Sequence, residues 1–156
     1  MTQSDQITFI KENLTKMEKN ITQEITYGVE AVQAKVIEDA RVICPTGVTG
    51  ALSQSIQPGP ITITGDNVEA TVEVNSDYAS YVEWGTRPHF PPIDALKDWA
   101  AKFLGDPRLA FIVARAIARR GTHPYNFMGQ SILANMSVFV DAVAAGVRRG
   151  IEESAS

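Results

Sequence analysis

The chain has 156 residues, 44% of them apolar, which is enough for one buried core and does not call for two domains. Its formal charge of −4 argues against phosphate-driven nucleic-acid binding, a mode that depends on clustered Lys and Arg. Cys44 is the only cysteine, so an intrachain disulfide and a Cys-rich metal site are both excluded.

The first six residues are polar, with neither the basic region nor the apolar stretch of a signal peptide, and no later run approaches the ~20 apolar residues of a membrane span. The expected compartment is the cytoplasm. From Ile7 onward, Ile10, Leu14, Met17, Ile21, Ile25, Val29, Val32 and Val36 recur every three or four positions. This spacing predicts one amphipathic helix over Asp5 to Val42, roughly 55 Å long at 1.5 Å per residue. Such a rod outreaches a small core, so its first turns are expected to pack on another subunit or to stay mobile until one arrives. Gly28 is a weak point where the rod could bend, and Pro45 ends it by pushing Cys44 out of the α region.

After a loop at 45–50, Ala51–Ile56 reads as a short strand, because Leu52 and Ile56 share a side if extended. Pro58-Gly59-Pro60 precedes a clean alternation. Ile61 and Ile63, then Val68, Ala70, Val72 and Val74 across Gly65-Asp66-Asn67, predict an antiparallel hairpin with one wet face. The apolar stripe of the long helix is its expected cover.

Ser76 or Asp77 can cap a helical turn through Glu83, which Gly85 would close in a left-handed conformation. The next stretch, Tyr81 to Pro92, crowds aromatics, charges and prolines, and Gly121-Thr122-His123-Pro124-Tyr125-Asn126-Phe127 is a looser second version of it. The Gly-Thr-x-Pro echo between them is too short to mark a duplication. Between the two, Pro92 starts a helix that Gly105 stops, and Asp106-Pro107 opens another that ends at Gly121. Ile132, Met136, Phe139, Val143, Val147 and Ile151 mark a C-terminal helix, with Arg148 and Arg149 suited to its negative end. The pattern as a whole is α+β: a single domain over 1–156, with a long N-terminal helix packed on a small antiparallel β-sheet, an αα insert at 93–120 and a C-terminal helix.

Chemistry-bearing residues are sparse. His89, His123 and Glu83 could surround a metal in a small hydrolase, but two loop histidines more often pack or hydrogen-bond locally. Cys44 sits among Val42, Ile43 and Pro45, the setting of a buried structural thiol rather than a nucleophile. Arg115, Arg119 and Arg120 share a helical neighbourhood and suit a solvated face or a subunit contact, or else phosphate in a DNA-contacting factor. Glu83, flanked by Tyr81, Val82 and Trp84, needs a donor if shielded, either Arg87 or backbone amides, and reads as a brace. Trp84, Arg87, His89 and Phe90 have the composition of interface anchors. No P-loop, dinucleotide fingerprint, HExxH or G-x-S-x-G is present, and no catalytic residue or cofactor is assigned.

Three segments carry a resemblance when taken in order. They are Pro45-Thr46-Gly47-Val48-Thr49-Gly50-Ala51-Leu52-Ser53-Gln54-Ser55-Ile56, then Tyr78-Ala79-Ser80-Tyr81-Val82-Glu83-Trp84-Gly85-Thr86, and finally Pro124-Tyr125-Asn126-Phe127-Met128. The set resembles the head–tail joining, or tail-completion, proteins of tailed bacteriophages and prophages, over roughly Ile7 to Ile151. Family-motif positions that carry over are Pro45, Thr49, Gly50, Leu52, Tyr78, Tyr81, Glu83, Gly85, Thr86, Pro124 and Phe127. Two departures stand out: the αα pair is longer than the link in the simplest members, and Asn126 and Met128 replace more usual small and apolar neighbours. The resemblance implies a non-enzymatic virion protein, made in the host cytoplasm, that joins its own copies in a neck or tail-completion ring. Its implied partners are other neck or tail proteins, with no membrane and no specific nucleic acid, DNA only passing through the ring.

Overall fold

A computed structural model describes residues 2–155. Helix α1 runs unbroken from Gln3–Ile43, close to the predicted Asp5 to Val42, and stops two residues before Pro45. After α2 (Ala51–Gln54), strands β1 (Ile56–Thr64) and β2 (Asn67–Val74) form a two-stranded antiparallel sheet. Then come α3 (Ala79–Trp84), α4 (Ile93–Leu104), a 3-10 turn at Pro107–Leu109, α5 (Ala110–Arg120) and α6 (Phe127–Ser154). This is the expected α+β arrangement of a long helix on a small sheet.

Two compact units can be distinguished. The first comprises α1 up to Val36, the hairpin residues Pro58–Val72, and α6 from Ile132 onward. Ile25, Val29, Val32 and Val36 are buried along α1, and the Gln33 side-chain amide donates to the carbonyls of Gly59 and Thr71, tying the helix to both strands. Here α6 meets α1 through small residues. A Cβ on Gly146 would lie 2.7 Å from Ile25 Cα, one on Gly150 would press on Ile21, and one on Gly28 would lie 3.2 Å from the Ala142 carbonyl. The helices are therefore antiparallel and in backbone-close contact, fastened between Gly146 and Gly150 by Arg149 Nε donating to Glu24 at 2.7 Å. Gly28 is a point of close approach; α1 continues straight through it as helix, so the expected weak point is occupied by packing.

The predicted C-terminal helix is present as α6. Along α6, Ser131, Asn135, Gly146 and Gly150 are fully buried, Phe139, Val143 and Val147 of the apolar series are half-buried, and Ile132, Met136 and Ile151 are more exposed, with Leu133 at 72% and Val140 at 59% on the outer side. Periodicity finds the apolar stripe, but the helix turns its small residues inward because only they allow so near an approach. By length and composition α6 could also cross a membrane, with a mean hydropathy of 1.4 over its best window, contrary to the expectation that no stretch comes near that length. The first turns of α1 are likewise uncovered at Ile7, Ile10 and Leu14.

The second unit comprises Ile37–Gln57 and Glu73–Ser131. Ile37, Ala40, Cys44, Leu52, Ile56 and Phe127 form its core, with Ala100, Ala110 and Ala114 buried in the α4–α5 pair. The predicted strand at Ala51–Ile56 is instead α2 followed by the first residue of β1. Leu52 and Ile56 are four apart, so a helical turn also places them on one side, and Gly50 at φ 70 supplies the left-handed residue that turns the chain into it. Arg41, in the last turn of α1, holds this junction by donating to the carbonyls of Ser53 at 3.2 Å and Ile56 at 2.7 Å. Strand β1 carries Pro58 and Pro60 within it, which a two-stranded sheet tolerates because each strand has a free edge.

Other boundaries fall near expectation. Gly105 closes α4 at φ 77, and the Asp106 carboxylate accepts from the amide of Arg108 with Pro107 at the first turn. The expected cap at Ser76 or Asp77 is corrected: Tyr78 occupies the N-cap of α3 without a side-chain bond, and the buried Ser76 hydroxyl finds no partner among the described residues. Helix α6 begins at Phe127, so the end of the second aromatic segment is helical.

Candidate functional site

The second unit is organised around the end of α3. The side chain of Glu83 is buried, and its carboxylate accepts from the amides of Met128 at 3.1 Å and Gly129 at 3.0 Å. These belong to the first turn of α6, whose amides have no partner within the helix. Glu83 therefore caps α6 from another element, with its negative charge at the positive end of the helix. Two backbone bonds run beside it, Tyr125 N to Val82 O at 2.9 Å and Asn126 N to Glu83 O at 3.0 Å. Of the two donors foreseen for Glu83, the backbone amides fill the role and Arg87 is left free for other contacts.

Gly85 and Thr86 come next and meet the second Gly-Thr pair. Thr86 and Thr122 form an antiparallel bridge, with amide-to-carbonyl bonds of 3.3 and 3.2 Å and hydroxyls 3.1 Å apart. Gly85 and Gly121 have φ of 71 and 72, and a Cβ on either would collide with the carbonyl of the opposite threonine. The two halves of the sequence echo thus meet in the fold. Each Gly-Thr supplies one half of a clamp, and each glycine makes room for the other half.

Beside this clamp lies an open groove of about 700 Å³. Tyr78, Tyr81 and Tyr125 line it with Arg87, His89 and His123, and the three tyrosines are exposed. His89 Nδ1 donates to the Arg87 carbonyl at 2.9 Å, which fixes the loop and turns Nε2 outward from that bond. Both histidines thus reach one groove, while Glu83 is committed to α6. Among the described residues no group of three or more His, Cys, Asp or Glu gathers as metal ligands.

The remaining candidates spread around this centre. Trp84, 73% exposed, and Phe90 do not line the groove; Phe90 instead meets Phe111 of α5 edge to face, with centroids 6.4 Å apart. Arg115, Arg119 and Arg120 are exposed on α5. Leu52 and Phe127 are core, and Thr49 accepts from the Ala51 amide at 3.3 Å. Pro45 follows the buried Cys44, whose thiol is pushed up in pKa by burial first and by the charge of Glu83 second. Lys102 was not foreseen: its ammonium donates to the carbonyls of Gly47 and Val48, fixing α4 to the motif loop. No sequence spacing joins residues 102 and 47, so only the fold reveals this tie.

Residues 6–85 match the family described as "Bacteriophage HK97-gp10, putative tail-component". The chain belongs to this family of phage tail components. The match takes in α1 beyond its first residues, the Gly50–Leu52 junction, the hairpin and α3, and it ends at the first glycine of the clamp. The α4–α5 pair and α6 lie outside it. No curated protein and no solved structure matches the chain. A tail component is a structural constituent of the virion, which implies a non-enzymatic role and contacts with other phage structural proteins.

Proposed function

We propose that the chain is a subunit of a neck or tail-completion ring that joins the phage head to the tail. The observation that carries this reading is the uncovered apolar side of α6, with Leu133, Met136 and Val140 exposed on a helix whose other side is locked to α1. Side chains of this kind gain by burial, and in a tail component the available cover is another virion protein or another copy. A ring needs two different surfaces on each subunit, one meeting the other around the axis. The groove beside the Thr86–Thr122 clamp, with Trp84 and Phe90 nearby in sequence, suits the second surface. The pair at 93–120 is then a contact element carried by the same protomer, and the overall negative charge suits a conduit through which DNA passes without sticking.

Genetic depletion with complementation tests this reading. Cells producing the phage without this chain should accumulate DNA-filled heads and separate tails, and added purified chain should join them into infectious particles. Normal joined particles in its absence would overturn the proposal. Before meeting its partners the purified chain is expected to be monomeric or weakly associated, which light scattering checks.

A further inference from the structure

We infer that the open edge of β2, with the apolar trough beside it, receives an extended segment of another virion protein that alternates apolar with basic residues. The origin of that partner rests on the joining reading, whereas the chemistry of the segment is set by β2 and its surroundings.

The sheet consists of β1 and β2 alone, so β2 has an outer edge along which no strand pairs among the described residues. Edge strands are commonly guarded by Lys, by Pro or by a charge turned inward, because their free N–H and C=O groups are a template for another chain. Strand β2 has none of these guards. It contains no Lys and no Pro, and its inward side chains are Val68, Ala70, Val72 and Val74.

Between this strand and α6 lies a trough of about 300 Å³. Val68 and Val72 line one side and Ile132 and Met136 the other, over the buried Val32 and Val36 of α1. Val68, Ala70 and Val72 are only half-buried, so their inner face lacks the close packing that protein interiors normally reach. Of the polar side chains in the lining, Gln33 and Asn135 already have partners in the chain, Gln33 on the carbonyls of Gly59 and Thr71. Covering the trough therefore strands neither of them. A strand laid along β2 points every second side chain into it, and its backbone bonds to the edge supply the affinity.

The remaining side chains of the incoming strand fall on the outer face, where β2 carries Asn67, Glu69, Thr71 and Glu73. Residues 56–74 include no Lys or Arg to balance these acids. Pairing of β2 with β2 of a second copy sets acid against acid or against a neutral residue, with no attractive pair in any register. A different chain with a basic residue opposite Glu69 gains where the second copy loses.

Two blocked octapeptides, one alternating valine with lysine and the other valine with glutamate, test the assignment on the full chain. The lysine peptide should slow amide hydrogen exchange along β2 and shift the methyl signal of Met136, and the glutamate peptide should do neither. Glu69→Lys should weaken the lysine peptide about fivefold and admit the glutamate peptide. Met136→Gln, at an exposed position, should weaken the lysine peptide with circular dichroism unchanged. Unaltered β2 exchange at millimolar lysine peptide, equal binding of the two peptides, or shifts centred on another part of the chain would each overturn the proposal. Slowing of β2 exchange with rising concentration of the chain alone would do the same, by assigning the edge to a second copy. In phage complementation, full joining of heads and tails by the Glu69→Lys chain removes this contact alone, whereas particles joined without any chain remove the joining reading and leave the peptide result standing.

Discussion

The two units hold their helices by opposite means. In the first, α1 and α6 lie so close at Gly146 and Gly150 that an added Cβ there must displace backbone, with the Arg149–Glu24 ion pair beside them. In the second, α3 and the start of α6 are joined by hydrogen bonds, through the Glu83 carboxylate and two backbone amides. A size change should therefore break the first unit and a polarity change the second.

The largest effect should come from Glu83→Ala. It leaves two amides of α6 unpaired at a buried site and should cost about 3 kcal/mol in urea unfolding, with Glu83→Gln recovering part of it. An unchanged midpoint would mean that water replaces the carboxylate and that the polar half of the contrast is wrong. Gly150→Leu should follow at about 2 kcal/mol, although any side chain there gains in intrinsic helix propensity over glycine. Stabilisation by this substitution would show that α1 and α6 have slack. Thr86→Val should cost about 1 kcal/mol, since its hydroxyl bonds are exposed and the backbone bridge survives. Trp84→Ala should change stability by less than about 0.5 kcal/mol yet impair assembly, separating contact from core. Loss of folding by circular dichroism would return Trp84 to the core.

Cys44 gives the smallest expected effect and probes the second unit from inside. Its thiol pKa is raised in the fold, so its contribution to stability is complete below the ordinary thiol range and is lost as pH rises through the raised value. Unfolding midpoints should fall slightly on the alkaline side, and alkylation of the native chain should be slow until it unfolds. Rapid alkylation of the folded chain at neutral pH would show that the interior of this unit opens readily.

Much of the architecture was legible from spacing. The long period of α1, the alternation of the hairpin, and the Pro and Gly punctuation of α4 and α5 all describe local geometry, which local sequence controls. What escaped depends on partners distant in the chain. Leu52 and Ile56 satisfy a strand and a helical turn equally, and only the left-handed Gly50 with the Arg41 bonds selects the turn. Apolar periodicity located α6, but the close approach of its Gly146 and Gly150 to α1 depends on residues distant in the chain. At the site, the need of Glu83 for donors was legible, but their position 45 and 46 residues onward was not. The Gly-Thr echo was visible on the page, and the clue missed was that two matching halves can be complementary across a bridge.

That bridge has a further consequence for how such a chain can vary. The excursion through α4 and α5 leaves at Thr86 and returns at Thr122, and the two ends are stitched within hydrogen-bonding distance of each other. A segment that departs and returns at one point can act as a cassette, its remaining tie to the frame being the bonds of Lys102 to the Gly47 and Val48 carbonyls. Grafting a two-residue turn between the threonines, or a different helical pair, becomes an engineering route to new partner preference on an unaltered frame.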